Sequence, residues 1–369
     1  MNKEIISSKQ YTAILSTFLL GSAIVLGIGS SAGRDVWIAV LIAILISVPF
    51  YFIYARILTL FPGMGLFDII PLIFGKIVSK IFAIMIVWFA FQMGAKVVRN
   101  FTEFIRTVAL LKTPQYIIAF PLILLSIWVV KAGVEVLGRW TAIVFPIMIF
   151  SIIAITFFLI PILEFKNIKP VLYEGMKPVM SAAYTVFAFP FGEALVMTAF
   201  TLRMQQKKSI YKAFFYSLLI AGATILVVTV RSLLSLGEAN VAIHYFSSYA
   251  SVRLISIGEF FQRIEVTVAI LFLLGGFVKT GVCLYATSRG LASVLNISNY
   301  RLIVAPVGLL MMLLSMIIFN NTMEMFFFAE NIYKYYAVPF EIIIPFIIYI
   351  GAEIKARSMK KQEKKHSRK

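Results

Sequence analysis

Apolar residues run through this chain in long blocks, separated by short stretches where basic residues gather. A helix rising 1.5 Å per residue needs about 20 apolar residues to cross a bilayer. Ten stretches meet or approach that length: 10–32, 35–59, 78–109, 115–131, 139–163, 179–202, 210–234, 264–290, 301–319 and 336–354. The pattern predicts an all-α polytopic membrane protein whose two ends lie on one face. The first block begins near Tyr11 and is long enough to span, so it reads as a retained helix rather than a cleaved signal peptide. Segment 61–76, FPGMGLFDIIPLIFGK, is too interrupted to span and fits a short surface or re-entrant helix. Two loops on the opposite face exceed turn length. Loop 164–178 contains Pro170 and Pro178, and loop 235–263 is amphipathic and fits a short interfacial helix.

Composition agrees. Hydrophobic residues make up 61% of the chain and charged residues 14%, where a soluble domain carries about 25% charged residues. Mean hydropathy is +0.96. A water-soluble fold of this length could not hide that much apolar surface, so lipid is the solvent.

The net charge of +18 raises nucleic acid as a partner, but no compact soluble segment gathers the basic residues, and none is expected. With the N-terminus inside, 21 of the 34 lysines and arginines fall in inside segments or at the inner ends of the spans, eight of them in the tail KARSMKKQEKKHSRK at 355–369. By the positive-inside rule both ends are cytoplasmic. The domain reading is one ten-span unit, 1–354, with halves 10–163 and 179–354, followed by the basic tail 355–369. That tail serves as a topology anchor or a contact for anionic lipid.

Two spans carry signals for broken helices, which membrane proteins tolerate where backbone lines a cavity or is buried in protein. The first contains Gly21-Ser22-Ala23 and then Gly27-Ile28-Gly29-Ser30. Glycine opens backbone groups to a ligand, and small residues also allow close helix packing. The sixth contains Phe189-Pro190-Phe191-Gly192-Glu193, where proline removes a donor and a carboxylate lies near mid-membrane. An ionisable residue at that depth is a functional candidate, the alternative being a kinked packing helix with Glu193 paired structurally. These breaks lie five spans apart in halves of opposite sense, which suggests a five-plus-five inverted repeat.

The third span carries Gln92, Lys96, Arg99, Glu103 and Arg106 at steps of four, three, four and three, so all five share one helical stripe. The stripe should face protein or water. Glu103 can pair with Arg99 or Arg106, making the outer part a structural charge network, with Glu265 of the eighth span assigned to the same class. Gln92 and Lys96 lie deeper and are ligand or water-path candidates. The eighth span places Lys279-Thr280 at depth. Lys279 needs a partner, a wet cavity, or a route for its ammonium to the surface, and Glu193 is a candidate partner. The ligand-binding candidates are therefore Gly21, Ser22, Ala23, Gly27, Gln92, Lys96, Phe189, Pro190, Phe191, Gly192, Glu193, Lys279 and Thr280.

The lone cysteine, Cys283, permits no internal disulfide. Histidines 244 and 366 are too scattered for a zinc site. His244 has no acyltransferase, protease or metal context, and neither catalytic residues nor cofactors are expected.

Several segments together resemble the spore germination permeases, the B subunits of spore germinant receptors, within the amino acid–polyamine–organocation superfamily. They are ISSKQ at 6–10, the Gly-Ser break at 21–22, RDVWIAVLIA at 34–43, FPGMGLFDIIPLIFGK at 61–76, FPFGE at 189–193 and RIE at 263–265. The resemblance covers about residues 7–355. It departs near the end of the first span, where Gly29 and Ser30 stand in a region that often holds a proline in the family.

The resemblance implies a LeuT-like fold with helices 1 and 6 broken. It also implies a small germinant, an amino acid or similar metabolite, bound beside the breaks. The implied partners are a membrane-anchored A subunit and a C lipoprotein, in the inner membrane of a bacterial endospore. Sensing, secondary transport of an amino acid or amine, and passage of ions or water along the Gln92–Lys96 stripe all fit the same span map.

Overall fold

The computed structural model describes residues 6–201, 207–255 and 263–366. Among the described residues the chain is helical throughout, with no strand. Eight helices among the described residues are long and apolar enough to cross a membrane. Two shorter ones, α1 (Ser8–Ala23) and α11 (Val304–Ile317), complete ten passes. The others begin with α2 (Val36–Leu60), α3 (Leu66–Val108), α4 (Gln115–Ala132) and α5 (Val134–Leu159). The sixth pass starts as α6 (Met176–Val186), and α7 (Lys207–Leu236) follows it. Two short helices, α8 (Glu238–Ile243) and α9 (Ser247–Val252), precede α10 (Glu265–Leu295). The last pass is assembled from α12 (Thr322–Phe327), α13 (Tyr333–Val338) and α14 (Ile344–His366).

The packing follows a five-pass exchange. As α1 lies on α7 and α10, the sixth pass lies on α2 and α3, and as α4 touches α3 and α10, α11 touches α10 and α3. This is the contact map of two inverted five-pass halves that interlock, and it needs no sequence likeness between them.

Local chemistry explains several boundaries. The ISSKQ segment is a capping box: Gln10 N–H donates to Ser7 Oγ at 3.3 Å and Ser7 N–H to Gln10 Oε1 at 2.9 Å, which fixes the start of α1. Segment 66–74 is a short helix set off from the rest of α3 by a kink at Gly75, whose φ of 73° favours a residue without Cβ. The short surface or re-entrant helix expected within 61–76 is thus present as the first piece of α3, ahead of the kink.

Two boundaries differ from expectation. α1 stops at Ala23, and a 3-10 turn resumes only at Ser30–Asp35, so the first break is centred on 24–29 and follows the Gly-Ser-Ala run. The tenth pass starts at Thr322 rather than near 336, interrupted by wide turns at Phe328–Ile332 and Pro339–Ile343. Phenylalanines and tyrosines interleaved with Glu330, Asn331 and Lys334 dilute its apolar signal. Loop 235–263 contains two short helices, and its part 256–262 lies outside the described residues, as do 367–369 of the basic tail.

Candidate functional site

The sixth pass shows how broken backbone is made tolerable at depth. Beyond Val186 the chain widens into a π turn at Phe187–Phe191, with Phe189 extended at φ −130° and ψ 115°, then tightens into 3-10 turns over Gly192–Ala199. Carbonyls of this segment meet hydroxyls on neighbouring helices. Tyr51 Oη donates to the Phe191 carbonyl at 3.2 Å, Tyr54 Oη lies 3.4 Å from that of Gly192, and Tyr11 Oη donates to that of Met197 at 3.1 Å. All three tyrosines are buried. An acceptor left without a donor in this dry core would cost about 1–3 kcal/mol.

Glu193 stands just past this break and is 2% exposed. Its Oε2 pairs with the Lys279 ammonium from α10, which is fully buried, and its Oε1 accepts from Tyr333 Oη at 2.8 Å. The Lys279 ammonium also lies 5.0 Å from the Phe18 ring centre and 4.7 Å from that of Phe189, which softens its desolvation. Lys279 therefore stays in the core beside Glu193 and does not reach for the surface.

A second ammonium lies close by. Lys96 Nζ is buried and has no hydrogen-bond partner among the described residues. Three rings of the tenth pass surround it, with centres 4.0 Å away for Tyr333, 5.2 Å for Tyr336 and 5.3 Å for Phe328. A cage of ring faces holds a cation without consuming its hydrogens, so those hydrogens are available to an acceptor.

These groups border a cavity of about 70 Å³. A water needs roughly 10–15 Å³ on this measure, so there is room for a few waters or the compact head of a small solute. Leu26, Gly27 and Ile28 of the first break line it, with Lys96 and Asn100 of α3, Thr185, Phe189 and Glu193 of the sixth pass, Phe319 just ahead of the tenth pass, and residues between Met325 and Tyr333 of the tenth. Its wall on the α8–α9 face includes Tyr245, whose hydroxyl donates to Asn100 Oδ1 at 3.0 Å and whose carbonyl accepts from Gly27 N–H at 3.2 Å. Burial pushes the Tyr245 phenol up, so it stays a neutral donor.

Of the expected ligand-binding residues, Gly27, Lys96, Phe189 and Glu193 line the cavity. Lys279 stands behind Glu193. Gly21 instead meets α10: a Cβ there would come within 3.0 Å of Lys279 Cδ, and a Cβ on Gly275 would come within 2.9 Å of Gly21 Cα. Ser22 and Ala23 are buried in the last turn of α1, and Ser22 Oγ and Thr280 Oγ1 lack partners among the described residues. Pro190 and Phe191 form the break itself, and Gly192 makes room for the Glu341 carboxylate. Gln92 is one turn below Lys96, with Oε1 buried and without a partner among the described residues.

The outer stripe of α3 is an ion network. Glu103 Oε1 lies 2.9 Å from Arg99 Nη2 and 3.5 Å from Arg106 Nη1, and its Oε2 accepts from Thr322 Oγ1 at 2.9 Å. Glu265, expected in the same class, stands apart and faces Arg263 at 3.9 Å. The sequence reading missed Tyr333, Glu330 and Glu341. All three sit on the interrupted tenth pass, where Pro339 was the available signal.

Comparison with known proteins adds to this geometry. The profile of the family described as spore germination protein matches residues 5–323. Spore germination protein KB of Bacillus subtilis (strain 168) is 28% identical over 375 residues, covering 100% of both chains. Spore germination protein XB of Bacillus anthracis is 21% identical, covering 69% of this chain and 71% of its own. Among solved structures, Mhp1, a nucleobase-cation-symport-1 family transporter in a closed conformation with bromovinylhydantoin bound, matches with a TM-score of 0.62 at 14% identity over 96% of this chain and 91% of its own. MhsT in complex with L-phenylalanine matches at 0.62 and 12% over 96% and 100%. At such identities the structures speak for the fold alone, and that fold is the LeuT-like transporter fold.

Proposed function

The chain belongs to the spore germination protein family, and from that premise we propose that it is the ligand-sensing membrane subunit of a germinant receptor. The ligand is a small germinant, an amino acid or a close relative, held between the two broken passes, α3 and the tenth pass. One observation supports this above the others: the Lys96 ammonium borders the cavity with its hydrogens uncommitted, while Glu193 offers a carboxylate in the same wall. A zwitterion matches that pair, with its carboxylate toward Lys96 and its ammonium toward the acidic side.

The signal would be a shift between two arrangements of the bundle. A ligand drives such a shift only by binding one arrangement more tightly. A membrane-anchored A subunit and a C lipoprotein would read it, in the inner membrane of a spore, with both chain ends and the basic tail on the cytoplasmic side.

Equilibrium binding of radiolabelled amino acids to the purified chain in nanodiscs tests this reading. Saturable binding that weakens at least tenfold in Lys96→Met supports it. Equal binding by the variant, or no binding by any amino acid, contradicts it.

The second reading is secondary transport of an amino acid or amine by alternating access. The fold it shares with Mhp1, a nucleobase-cation-symport-1 family transporter, supports this reading.

A further inference from the structure

Most polar side chains in the cavity wall already have partners. Tyr245 Oη donates to Asn100 Oδ1 at 3.0 Å, and Thr185 Oγ1 donates to the Ser181 carbonyl at 3.2 Å. Glu193 spends one oxygen on Lys279 and the other on Tyr333 Oη. Two charged side chains of the wall keep an open place. Lys96 Nζ and Glu330 Oε2 are both buried, and neither has a hydrogen-bond partner among the described residues. One is a donor, the other an acceptor, and both border the same space.

Glu330 owes its place to the wide turn Phe328–Ile332, which interrupts the tenth pass. Such turns inside α-helices are frequent at functional sites. This one sets the Phe328 ring centre 5.3 Å from Lys96 Nζ and brings Glu330 into the cavity wall. The neighbours of the carboxylate are Ser30 and the Gly29 backbone of the first break, and Lys334 on its own pass. Lys334 itself donates to Ser181 Oγ at 2.9 Å.

The acidic side of the cavity thus resolves into two carboxylates with different work. Glu193 holds Lys279 and Tyr333, and so fixes the wall and one of the ring faces under Lys96. Glu330 keeps an oxygen with no donor. A buried acceptor left bare is costly, and a solute that brings N–H donors relieves that cost.

We propose, on the reading of this cavity as an amino acid site, that Glu330 receives the ligand's ammonium and makes an amine obligatory in the ligand. The solute carboxylate meets Lys96 and its ammonium meets Glu330. Leu26, Met93, Val97 and Met325 leave an apolar wall for a small side chain.

Calorimetric titration of the purified chain in nanodiscs tests this with three matched pairs of probes: L-alanine and propanoate, L-valine and 3-methylbutanoate, L-leucine and 4-methylpentanoate. The second member of each pair lacks only the amine. The wild type should bind at least one amino acid about a hundredfold or more tighter than its partner, because a site built for an N–H group rejects the analogue without it. In Glu330→Gln that amino acid should weaken by about thirtyfold or more, while its partner binds no worse, so the gap narrows. Glu330→Asp, which keeps the charge, should restore part of the gap. Equal binding of both members of every pair by the wild type overturns the role of Glu330 without any variant. A folded Glu330→Gln that binds the amino acid as the wild type does, or weakens both members alike, overturns it too, and the amino acid reading of the cavity stands. Binding of no amino acid by the wild type overturns that reading and the role of Glu330 with it.

Discussion

The ammonium of Lys279 on α10 bonds the carboxylate of Glu193 on the broken sixth pass, and both side chains are buried. They are 86 residues apart in sequence, so the bond ties the two core passes of the second half together beside the cavity. Removing one member strands the other as a bare charge in a dry site, which costs roughly 3–5 kcal/mol, whereas replacing both with apolar residues is often close to neutral.

Lys279→Met should therefore lower the thermal stability of the purified chain sharply, while Lys279→Met combined with Glu193→Leu should recover most of it. Fluorescence-detected gel filtration after heating measures both. Equal losses in single and double variants would mean that the pair is not coupled.

Lys96 should behave in the opposite way. Its ammonium rests on ring faces and donates to no acceptor among the described residues, so a methionine there removes a desolvation cost and keeps the packing. Lys96→Met is expected to melt at or above the wild-type temperature while losing amino acid binding. A variant that melts lower and still binds would assign Lys96 to structure alone.

Gly21 and Gly275 set the spacing of α1 and α10, because a Cβ on Gly275 would meet the backbone of Gly21 at 2.9 Å. Backbone cannot yield as a side-chain tip can. Gly275→Ala should cost about 1–3 kcal/mol by overpacking, seen as a lower melting temperature. Gly276→Ala, where the nearest atom is Phe101 Cδ2 at 4.0 Å, should be tolerated. Equal behaviour of the two would remove the close approach as the reason for glycine at 275.

Span order and the break in the sixth pass could be read in the sequence because both rest on local signals: long apolar blocks, and Pro190 beside Gly192. Of the two signals in the first span, the break falls at the second, where Gly27 reaches the cavity, while Gly21 lies against α10. The tenth pass was the least readable. Its wide turns depend on tertiary contacts, and its cage residues Phe328, Tyr333 and Tyr336 look like ordinary membrane aromatics until Lys96 is seen among them. Equally, Tyr51 and Tyr54 read as unremarkable helix residues, and only the fold shows which freed carbonyls they serve.

The central claim is that a transporter-like core binds a small ligand in order to report it. Reconstituting the chain alone in proteoliposomes and following radiolabelled amino acids, with and without proton or sodium gradients, tests this most directly. A sensor gives saturable binding that reaches a fixed stoichiometry without accumulation inside the vesicle. Concentrative uptake driven by either gradient would contradict it and make the chain a transporter.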